Sequence, residues 1–218
     1  MPPAMRGRFI VIDGPDYCGK GTQHRMLVDY LLDHPLDREN KLLNVVATRE
    51  PFNTQFTLEI RRILKESMDP KQRASQLRDF FFGDRWEHVD LLISPALKAG
   101  CIVVSDRYKY STEAYQSAQG LDIHDLVARH STMPVPDIAF FLEIPLEEAV
   151  RRRAAQKNRP YNEIFDRDNE FMRKVQEQYA LLKEIHGNEN IVAIDANKPK
   201  EDVFERIRSY VDYLIFKK

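Results

Sequence analysis

The sequence predicts a three-layer α/β/α domain built around a five-stranded parallel sheet. Five short runs of apolar, mostly β-branched residues punctuate the 218 residues, and helical patterns lie between them. The runs are continuous rather than alternating, as expected for strands buried on both faces of a parallel sheet. Strands that alternate with helices indicate βαβ units with right-handed crossovers. We expect one domain over residues 1–218, with strands at Phe9–Asp13, Leu43–Ala47, Ile102–Ser105, Ile138–Glu143 and Ile191–Asp195.

Helical patterns fill the spaces between these strands, and one of them is interrupted. Residues 158–168 (NRPYNEIFDRD) break a helical run with proline, asparagine and dense charge. Such a segment is either a solvated surface loop or a mobile lid, and its place in the chain favours a lid. The predicted helices are Gln23–Asp33, Leu58–Glu66, a long stretch from about Lys71 to Ala99, Leu146–Gln156, Asn169–Ile185 and Glu201–Ile215.

The composition excludes several partners. The formal net charge is -1, from 33 basic and 34 acidic residues, so no global charge attracts nucleic acid or a membrane surface. No apolar stretch approaches the ~20 residues that a membrane helix needs, and the N-terminal residues lack the apolar run of a signal peptide. The two cysteines, Cys18 and Cys101, are far apart and without metal-ligand spacing. We therefore expect a reduced, cytoplasmic protein without nucleic-acid or membrane partners.

A phosphate-binding loop directly follows the first predicted strand. The pattern GPDYCGKGT at residues 14–22 has the strand–GxxxxGK–helix form, in which glycines let backbone N–H groups turn towards phosphates. Lys20 adds a positive charge at the β- and γ-phosphates. Gly21 stands where a serine or threonine usually follows the lysine, so Thr22 contacts either magnesium or a phosphate oxygen. The predicted ATP-binding residues here are Gly14, Cys18, Gly19, Lys20, Gly21 and Thr22.

A second signal ends the third predicted strand, in CIVVSDRY at residues 101–108. Asp106 is placed as the magnesium-side carboxylate of a phosphate-transferring enzyme. Arg107 beside it suits a phosphate that carries a metal ion, at the sheet edge where ligands of open α/β sheets bind. A GTPase is disfavoured, because the nearest candidate for its guanine-reading motif, Asn197–Lys200, lacks the required aspartate.

Five motifs together resemble the thymidylate kinase family, in its order and over nearly the whole chain. They are GPDYCGKGTQ, TREPFNT (48–54), FFFGDRW (80–86), SDRYKYSTEAYQ (105–116) and PDIAFFLEI (136–144). The resemblance implies a P-loop NTPase-like fold with sheet order 2-3-1-4-5 and a short lid at about 153–167. It implies phosphorylation of thymidine monophosphate (dTMP) to the diphosphate for dTTP synthesis, with ATP as donor and Mg²⁺ as cofactor. It also implies a homodimer, for which the long helix from Lys71 is a plausible contact surface.

A base pocket is predicted on the helix that contains FFFGDRW. Phe81 and Arg85 are four residues apart and therefore share a face of that helix. An aromatic ring can stack on a base, and a guanidinium can donate to thymine O4, where cytosine presents an amino donor. In the family, the matching residues have these two roles. We expect Phe80 and Phe82 to belong to the core instead.

The remaining acceptor residues are implied by the resemblance. Arg49 and Arg107 match arginines that hold the acceptor's monophosphate, and two guanidiniums suit one dianion. Pro51 would wall the base pocket near the thymine methyl group. Asp16, an unexpected carboxylate inside a phosphate loop, matches an acidic residue that binds the sugar 3'-hydroxyl. The acceptor site is completed by Ser111, by Thr112 near base N3, and by Tyr115, whose bulk would exclude a ribose 2'-hydroxyl.

Phosphoryl transfer also needs positive charge around the transferred group. Some thymidylate kinases carry an arginine in the phosphate loop where this chain has Tyr17, whereas others supply it from the lid. Arg153 and Arg159 are the candidates here. The predicted catalytic residues are thus Lys20, Asp106, Arg107, Arg153 and Arg159, and the adenine end of ATP is expected near Ala196 and Lys198, by analogy with nucleotide kinases.

Three alternatives remain open. A deoxynucleoside kinase would use a glutamate after the second strand as base, and Glu50 could serve. The presence of Arg49 together with the Asp-Arg-Tyr motif at 106–108 nevertheless favours a phosphorylated acceptor. An adenylate or uridylate kinase is supported only by the pattern GKGTQ. A non-catalytic nucleotide-binding protein would keep the fold without turnover, and ADP release in the presence of ATP and magnesium would separate it from an enzyme.

Overall fold

A five-stranded, fully parallel sheet forms the centre of the molecule. The computed structural model describes residues 7–34, 43–65, 73–155 and 168–216. Its strand order, β2-β3-β1-β4-β5, confirms the predicted 2-3-1-4-5 topology of a P-loop NTPase-like fold. The carboxyl ends of the three strands on one side meet in register, since Arg49 lies opposite Asp106 and Asp106 lies opposite Ile12. The strands are β1 (Arg8–Asp13), β2 (Val45–Arg49), β3 (Ile102–Asp106), β4 (Ile138–Glu143) and β5 (Ile191–Asp195).

Helices cover both faces of this sheet within the described residues. None of the helices there is both long and apolar enough to span a lipid bilayer. The helices are α1 (Lys20–Asp33), α2 (Gln55–Lys65), α3 (Ala74–His88), α4 (Ser94–Lys98), α5 (Lys109–Ala118), α6 (Ile123–Arg129), α7 (Leu146–Ala155), α8 (Asn169–Ile185) and α9 (Lys200–Ile215).

Alternate residues of each central strand enter two separate cores. In β1, Phe9 and Val11 pack beneath α2, α3, α5 and α8, whereas Ile10 and Ile12 pack beneath α1, α7 and α9. All four side chains are buried. Burial on both faces explains why the strands appear as continuous apolar runs, and it confirms the three-layer α/β/α arrangement.

The second strand lies two residues further along the chain than predicted. The sequence suggested Leu43–Ala47, but β2 spans Val45–Arg49 because polar residues continue the ladder with β3 to the edge of the sheet. Thr48 is buried there, and its hydroxyl lies 2.7 Å from His88 Nε2. Arg49 is therefore the last residue of the strand rather than the residue after it.

The helices depart from the sequence pattern in two places. The expected continuous helix from Lys71 to Ala99 is instead α3, a π-helical turn over Val89–Ile93, and α4. Pro95, which has no N–H to donate, lies in the first turn of α4 and accounts for the change of hydrogen bonding. Helices α5 and α6 were not predicted, and α5 buries eight of its ten residues, among them the charged Lys109 and Glu113.

Part of the prediction falls outside the described residues. The lid was expected at about 153–167, of which the structure describes residues 153–155. The ends of three predicted helices, Glu66, Lys71 and Gln156, also lie outside, as does Arg159.

Candidate active site

The phosphate loop between β1 and α1 has the conformation that its glycines allow. Gly14 has φ 142°, and a Cβ there would come within 2.7 Å of the Leu142 carbonyl oxygen, so no larger residue fits. Gly19 precedes α1 in the left-handed region, with φ 97°. This geometry sets the loop across the N-terminus of a 14-residue helix, whose positive dipole end favours anions. Cys18 is buried within the loop.

Lys20 folds back over this loop. Its side chain is only 7% exposed, and its Nζ donates to the carbonyl oxygens of Gly14 at 2.9 Å and Pro15 at 2.7 Å. A third, longer contact joins Nζ to Cys18 Sγ at 3.7 Å. Both carbonyls are neutral acceptors, so an anionic phosphate oxygen could compete with them for the ammonium group.

Asp13 joins the phosphate loop to the start of α5 and to α8 through hydrogen bonds. None of the sequence motifs indicated a role for it. Its Oδ1 accepts from the backbone N–H of Gly14 at 2.8 Å, from Ser111 Oγ at 2.7 Å and from Tyr179 OH at 2.8 Å. Its Oδ2 accepts from the Tyr108 N–H at 3.0 Å. Burial raises the pKa of Asp13. Its position at the end of a central strand was the available signal.

Arg107 and Asp16 form an ion pair at the carboxyl end of the sheet. Arg107 Nη2 donates to Asp16 Oδ1 at 2.5 Å, and Arg107 Nη1 donates to Ser111 Oγ at 2.8 Å. The other oxygen of Asp16 accepts from Tyr115 OH at 2.7 Å. Arg107 adopts φ 76°, an unusual value for a residue with a side chain, and such strain is concentrated at functional sites. Four of the predicted acceptor residues thus lie in contact.

Asp106 presents an oxygen suited to a cation. Its Oδ1 is buried and accepts no hydrogen bond from any residue that the structure describes. Its Oδ2 lies 3.4 Å from where a Cβ on Gly21 would stand, so the carboxylate faces the start of α1. Carboxylate oxygens are ligands that Mg²⁺ accepts, so Asp106 fits a magnesium site, and Thr22, one residue after Gly21, has a hydroxyl of the required chemistry.

A cavity of about 500 Å³ opens beside the phosphate loop, within the size range of small-molecule sites. Every residue predicted to bind the acceptor nucleotide lines this cavity. Helix α2 contributes further basic and apolar side chains that the sequence analysis did not single out, namely Arg61, Lys65, Ile60 and Leu64. The predicted residues in the lining are Asp16, Arg49, Pro51, Phe81, Arg85, Arg107, Ser111, Thr112 and Tyr115.

Arg49 and Arg85 are held in this cavity in different ways. Arg49 is exposed, and its side chain forms no hydrogen bond or ion pair with the rest of the described chain. Arg85 is only 1% exposed, so it is not a surface charge. Four of its five N–H groups are accounted for by hydrogen bonds to protein atoms: Glu50 Oε2 at 2.8 Å, His130 Nε2 at 3.0 Å, the Tyr108 carbonyl oxygen at 3.1 Å and Thr112 Oγ1 at 3.0 Å. One N–H of Nη1 remains for a ligand.

Three phenylalanines precede Arg85 on α3. Phe81 lines the cavity and is half-buried. Phe80 and Phe82 are also half-buried and pack against the core beneath α3, as expected. Phe82 additionally stacks on the ring of His130, with the ring centroids 5.6 Å apart.

Glu50 would be the base of a deoxynucleoside kinase, but both of its carboxylate oxygens already contact protein side chains. Its carboxylate bonds Arg85 Nε at 2.8 Å and lies 3.1 Å from His88 Nδ1. Burial works to raise the pKa of Glu50, but Arg85 and His88 outweigh burial, and the pKa is lowered. A carboxylate with a low pKa and two bound partners is a poor proton acceptor.

The three consecutive arginines of α7 point to different partners. Arg151 is exposed and pairs with Glu148. Arg153 was predicted to serve the transferred phosphate, but its Nη2 bonds Asn169 Oδ1 at 2.9 Å and its Nη1 lies 3.4 Å from Met172 Sδ, both on α8. The structure brings Arg152 to the phosphate loop instead, because i and i+1 residues face different sides of a helix.

Arg152 also connects the loop to the segment after β5. Its Nη1 donates to the Tyr17 carbonyl oxygen at 3.3 Å and its Nη2 to the Ala196 carbonyl oxygen at 2.9 Å. Ala196 is buried, whereas Lys198 is exposed and lies 3.8 Å from Asp195 Oδ2. Of the two residues predicted for the adenine end of ATP, only Ala196 is thus linked to the phosphate loop by Arg152.

Known proteins similar to this chain agree with the geometry. The thymidylate kinase family model matches residues 12–207. The chain is 37% identical to the probable thymidylate kinase of Thermococcus kodakarensis over 213 residues, which cover 95% of this chain and 98% of that protein. It is 38% identical to the thymidylate kinase of Prochlorococcus marinus over 216 residues, 97% and 99% of the two chains. The match to the thymidylate kinase of Desulfotalea psychrophila is also 38% identical, over 72% of this chain and 74% of that protein. The chain belongs to the thymidylate kinase family.

Proposed function

We propose that this protein transfers the γ-phosphoryl group of ATP to dTMP, which forms dTDP and ADP. The observation that supports this most is one cavity, whose lining brings Asp16 of the phosphate loop together with Arg49 and Arg107 and with the base-pocket residues Phe81 and Arg85. The family assignment makes this reaction the expected one.

The base end of dTMP is recognised by Phe81 and Arg85. Phe81 offers a half-buried ring for stacking on thymine, and Arg85 directs its remaining N–H to O4. Thr112, already bound to Arg85, stands next to base N3, and Pro51 closes the wall near the methyl group. A cytosine amino group would place donor against donor at Arg85, which disfavours dCMP.

The phosphate and sugar of dTMP lie at the edge of the sheet. Arg49 and Arg107 bind the monophosphate, and the fixed position of Arg107, held by Ser111 and Asp16, orients it. Asp16 accepts the sugar 3'-hydroxyl, and Tyr115 beside it leaves no room for a 2'-hydroxyl.

The donor nucleotide binds on the other side of the phosphate loop. Lys20 exchanges its two carbonyl partners for the β- and γ-phosphates, which backbone N–H groups and the start of α1 also bind. The adenine end lies near Ala196 and Lys198, and Arg152 contacts the donor between this segment and the loop.

Magnesium binds through Asp106, with Thr22 as a second ligand or a phosphate contact. The buried oxygen of Asp106 without a hydrogen-bond partner supports this assignment. Bound Mg²⁺ would neutralise charge on the phosphates of ATP. The acceptor's phosphate is already nucleophilic at neutral pH, so Arg107 and Lys20 need only align the two phosphates and balance their charge. Arg153 and Arg159 stay predicted lid residues, although the contacts of Arg153 with α8 favour Arg152 near the donor.

The deoxynucleoside kinase alternative is disfavoured by Glu50, since that reaction needs a base for the sugar hydroxyl and Glu50 is held by Arg85 and His88. A homodimer in the cytoplasm remains our expectation. Three large apolar side chains on α2, α3 and the π-helical turn support a dimer surface, because they are exposed to solvent: Leu58 (68%), Trp86 (48%) and Leu91 (65%).

An ADP-release assay with ATP and Mg²⁺ tests the function against a panel of acceptors. The panel holds thymidine and the monophosphates of thymidine, deoxyuridine, deoxycytidine, adenosine and uridine. We expect strong preference for dTMP. Preference for free thymidine would instead establish a nucleoside kinase, and no turnover with any acceptor would indicate a nucleotide-binding protein without this activity.

A further inference from the structure

A chain of buried ionisable side chains extends from the base pocket past the middle of α5 to Glu189, which follows α8. Glu50 bonds Arg85, Arg85 bonds His130, and His130 Nδ1 lies 2.9 Å from Glu113 Oε1. Glu113 Oε2 in turn lies 2.7 Å from His186 Nε2. We call this set the buried ion chain, and it ends where His186 Nδ1 and Lys109 Nζ meet Glu189 Oε1 at 3.0 and 2.6 Å.

The contacts of His130 fix where its proton resides. Arg85 Nη1 can only donate, so His130 Nε2 must accept and carries no proton. Glu113 Oε1 can only accept, so the proton resides on Nδ1. His130 is therefore neutral, in a single tautomer that points a lone pair at Arg85.

The charges that face His130 keep it neutral. Arg85 approaches from α3 and Glu113 from α5, while Glu50 lies beyond Arg85 and the uncharged ring of Phe82 covers one face. Burial lowers the pKa of His130 below its ordinary 6.5, and the positive charge of Arg85 lowers it further. Glu113 acts in the opposite direction, but it does not outweigh burial and Arg85. The pKa of His186, by contrast, is raised to about 9 by Glu113 and Glu189 against the effect of burial. With His130 neutral, the cations Arg85, His186 and Lys109 balance the carboxylates Glu50, Glu113 and Glu189.

We propose that His130 is a positioning residue for base recognition, which holds Arg85 at thymine O4 through its unprotonated Nε2. This inference rests on the proposed function, because it concerns the thymine pocket. Arg85 has one N–H left for a ligand, and the direction of that N–H is set by where the other bond of Nη1, to His130, points. His130 lies directly after α6 and is held in turn by Glu113 of α5.

Protonation of His130 would reverse the contact. An N–H on Nε2 would face an N–H of Arg85, and two cations would share a buried site. Arg85 would then leave its position, and the KM for dTMP would rise. The phosphate of dTMP also titrates near pH 6, so a pH profile of the native protein alone cannot isolate His130. Comparison with a variant at the same pH removes that contribution.

The test compares two variants with the native protein in the ADP-release assay from pH 5.5 to 8. In His130→Gln, an amide can accept from Arg85 and donate to Glu113 without titrating. In His130→Phe, the ring and its stacking on Phe82 are kept, but both nitrogens are lost. The matched control is His124→Gln, since His124 is exposed on α6, six positions before His130, and has no polar partner in the described residues. KM for dTMP, KM for ATP and kcat are measured for each.

We expect His130→Phe to raise the KM for dTMP about tenfold at every pH, with KM for ATP unchanged. The ratio of native to His130→Gln KM for dTMP should be constant from pH 6.5 to 8, because burial and Arg85 lower the pKa of His130 and the ring stays neutral there. An unchanged KM for dTMP in His130→Phe would overturn the inference. So would a ratio that already changes between pH 8 and 6.5, which can be measured even where His130→Phe does not fold. A native protein that does not phosphorylate dTMP would instead refute the proposed function, which separates the two failures.

Discussion

The donor side of the site depends mainly on backbone geometry, whereas the acceptor side depends on buried charged side chains. On the donor side, the phosphate loop depends on backbone: two glycines with positive φ, the start of α1, and one lysine bound to neutral carbonyls. On the acceptor side, Arg85 belongs to a buried set of alternating cations and carboxylates that runs through α5. One side therefore uses the geometry of a short segment, and the other uses charges that must balance across four parts of the chain.

This difference predicts where a substitution affects stability and where it affects only turnover. A lysine bound to carbonyls can be removed without leaving a charge behind. A member of the buried ion chain cannot, because its partner stays buried without compensation.

Removal of Arg85 should have the largest effect on folding. Arg85→Leu leaves Glu50 as a buried carboxylate, and we expect the free energy of unfolding to fall by about 3–5 kcal/mol, measured by urea denaturation. The matched control is Arg62→Leu on α2, whose partner Glu59 is exposed, with an expected loss of about 0–1 kcal/mol.

The double variant Arg85→Leu/Glu50→Leu sharpens this prediction. Removal of both charges should recover part of the loss, since a hydrophobic pair replaces an uncompensated ion. Equal losses for Arg85→Leu and Arg62→Leu would contradict the view that the acceptor side is held by balanced buried charge.

Removal of Lys20 should affect turnover rather than folding. In Lys20→Ala, the loss of a cation at the β- and γ-phosphates is expected to lower kcat by about a hundredfold to a thousandfold. Stability should change by no more than about 1 kcal/mol, because the two lost bonds go to neutral carbonyls. Binding of dTMP, followed by calorimetry, should be retained. A variant that unfolds as readily as Arg85→Leu would remove the distinction between the two sides.

The same contrast explains how much the sequence predicted. The phosphate loop and the strand ends are local patterns, so the sheet order, Lys20, Asp106 and the lining of the cavity followed from the motifs and the family resemblance. Helix α5 did not, because it buries Lys109, Glu113 and Gln116, and a pattern based on hydropathy assigns such residues to the surface. Their partners are distant in the chain, as with Glu113 and His186, 73 positions apart, so no local signal could identify them.

For the same reason, the sequence could not indicate which of the three arginines of α7 contacts the phosphate loop. Arg152 is selected by carbonyl oxygens of Tyr17 and Ala196, which are 135 and 44 positions away. Arg152→Ala should raise the KM for ATP about tenfold, the loss expected for one charged hydrogen bond, with little change in the KM for dTMP. Arg151→Ala is the matched control, because Arg151 is exposed and shares the partner Glu148 with Arg152. This variant should change the KM for ATP less than about twofold. A larger effect of Arg153→Ala than of Arg152→Ala would instead return the donor-side role to Arg153, and would mean that its contacts with α8 are exchanged when nucleotide binds.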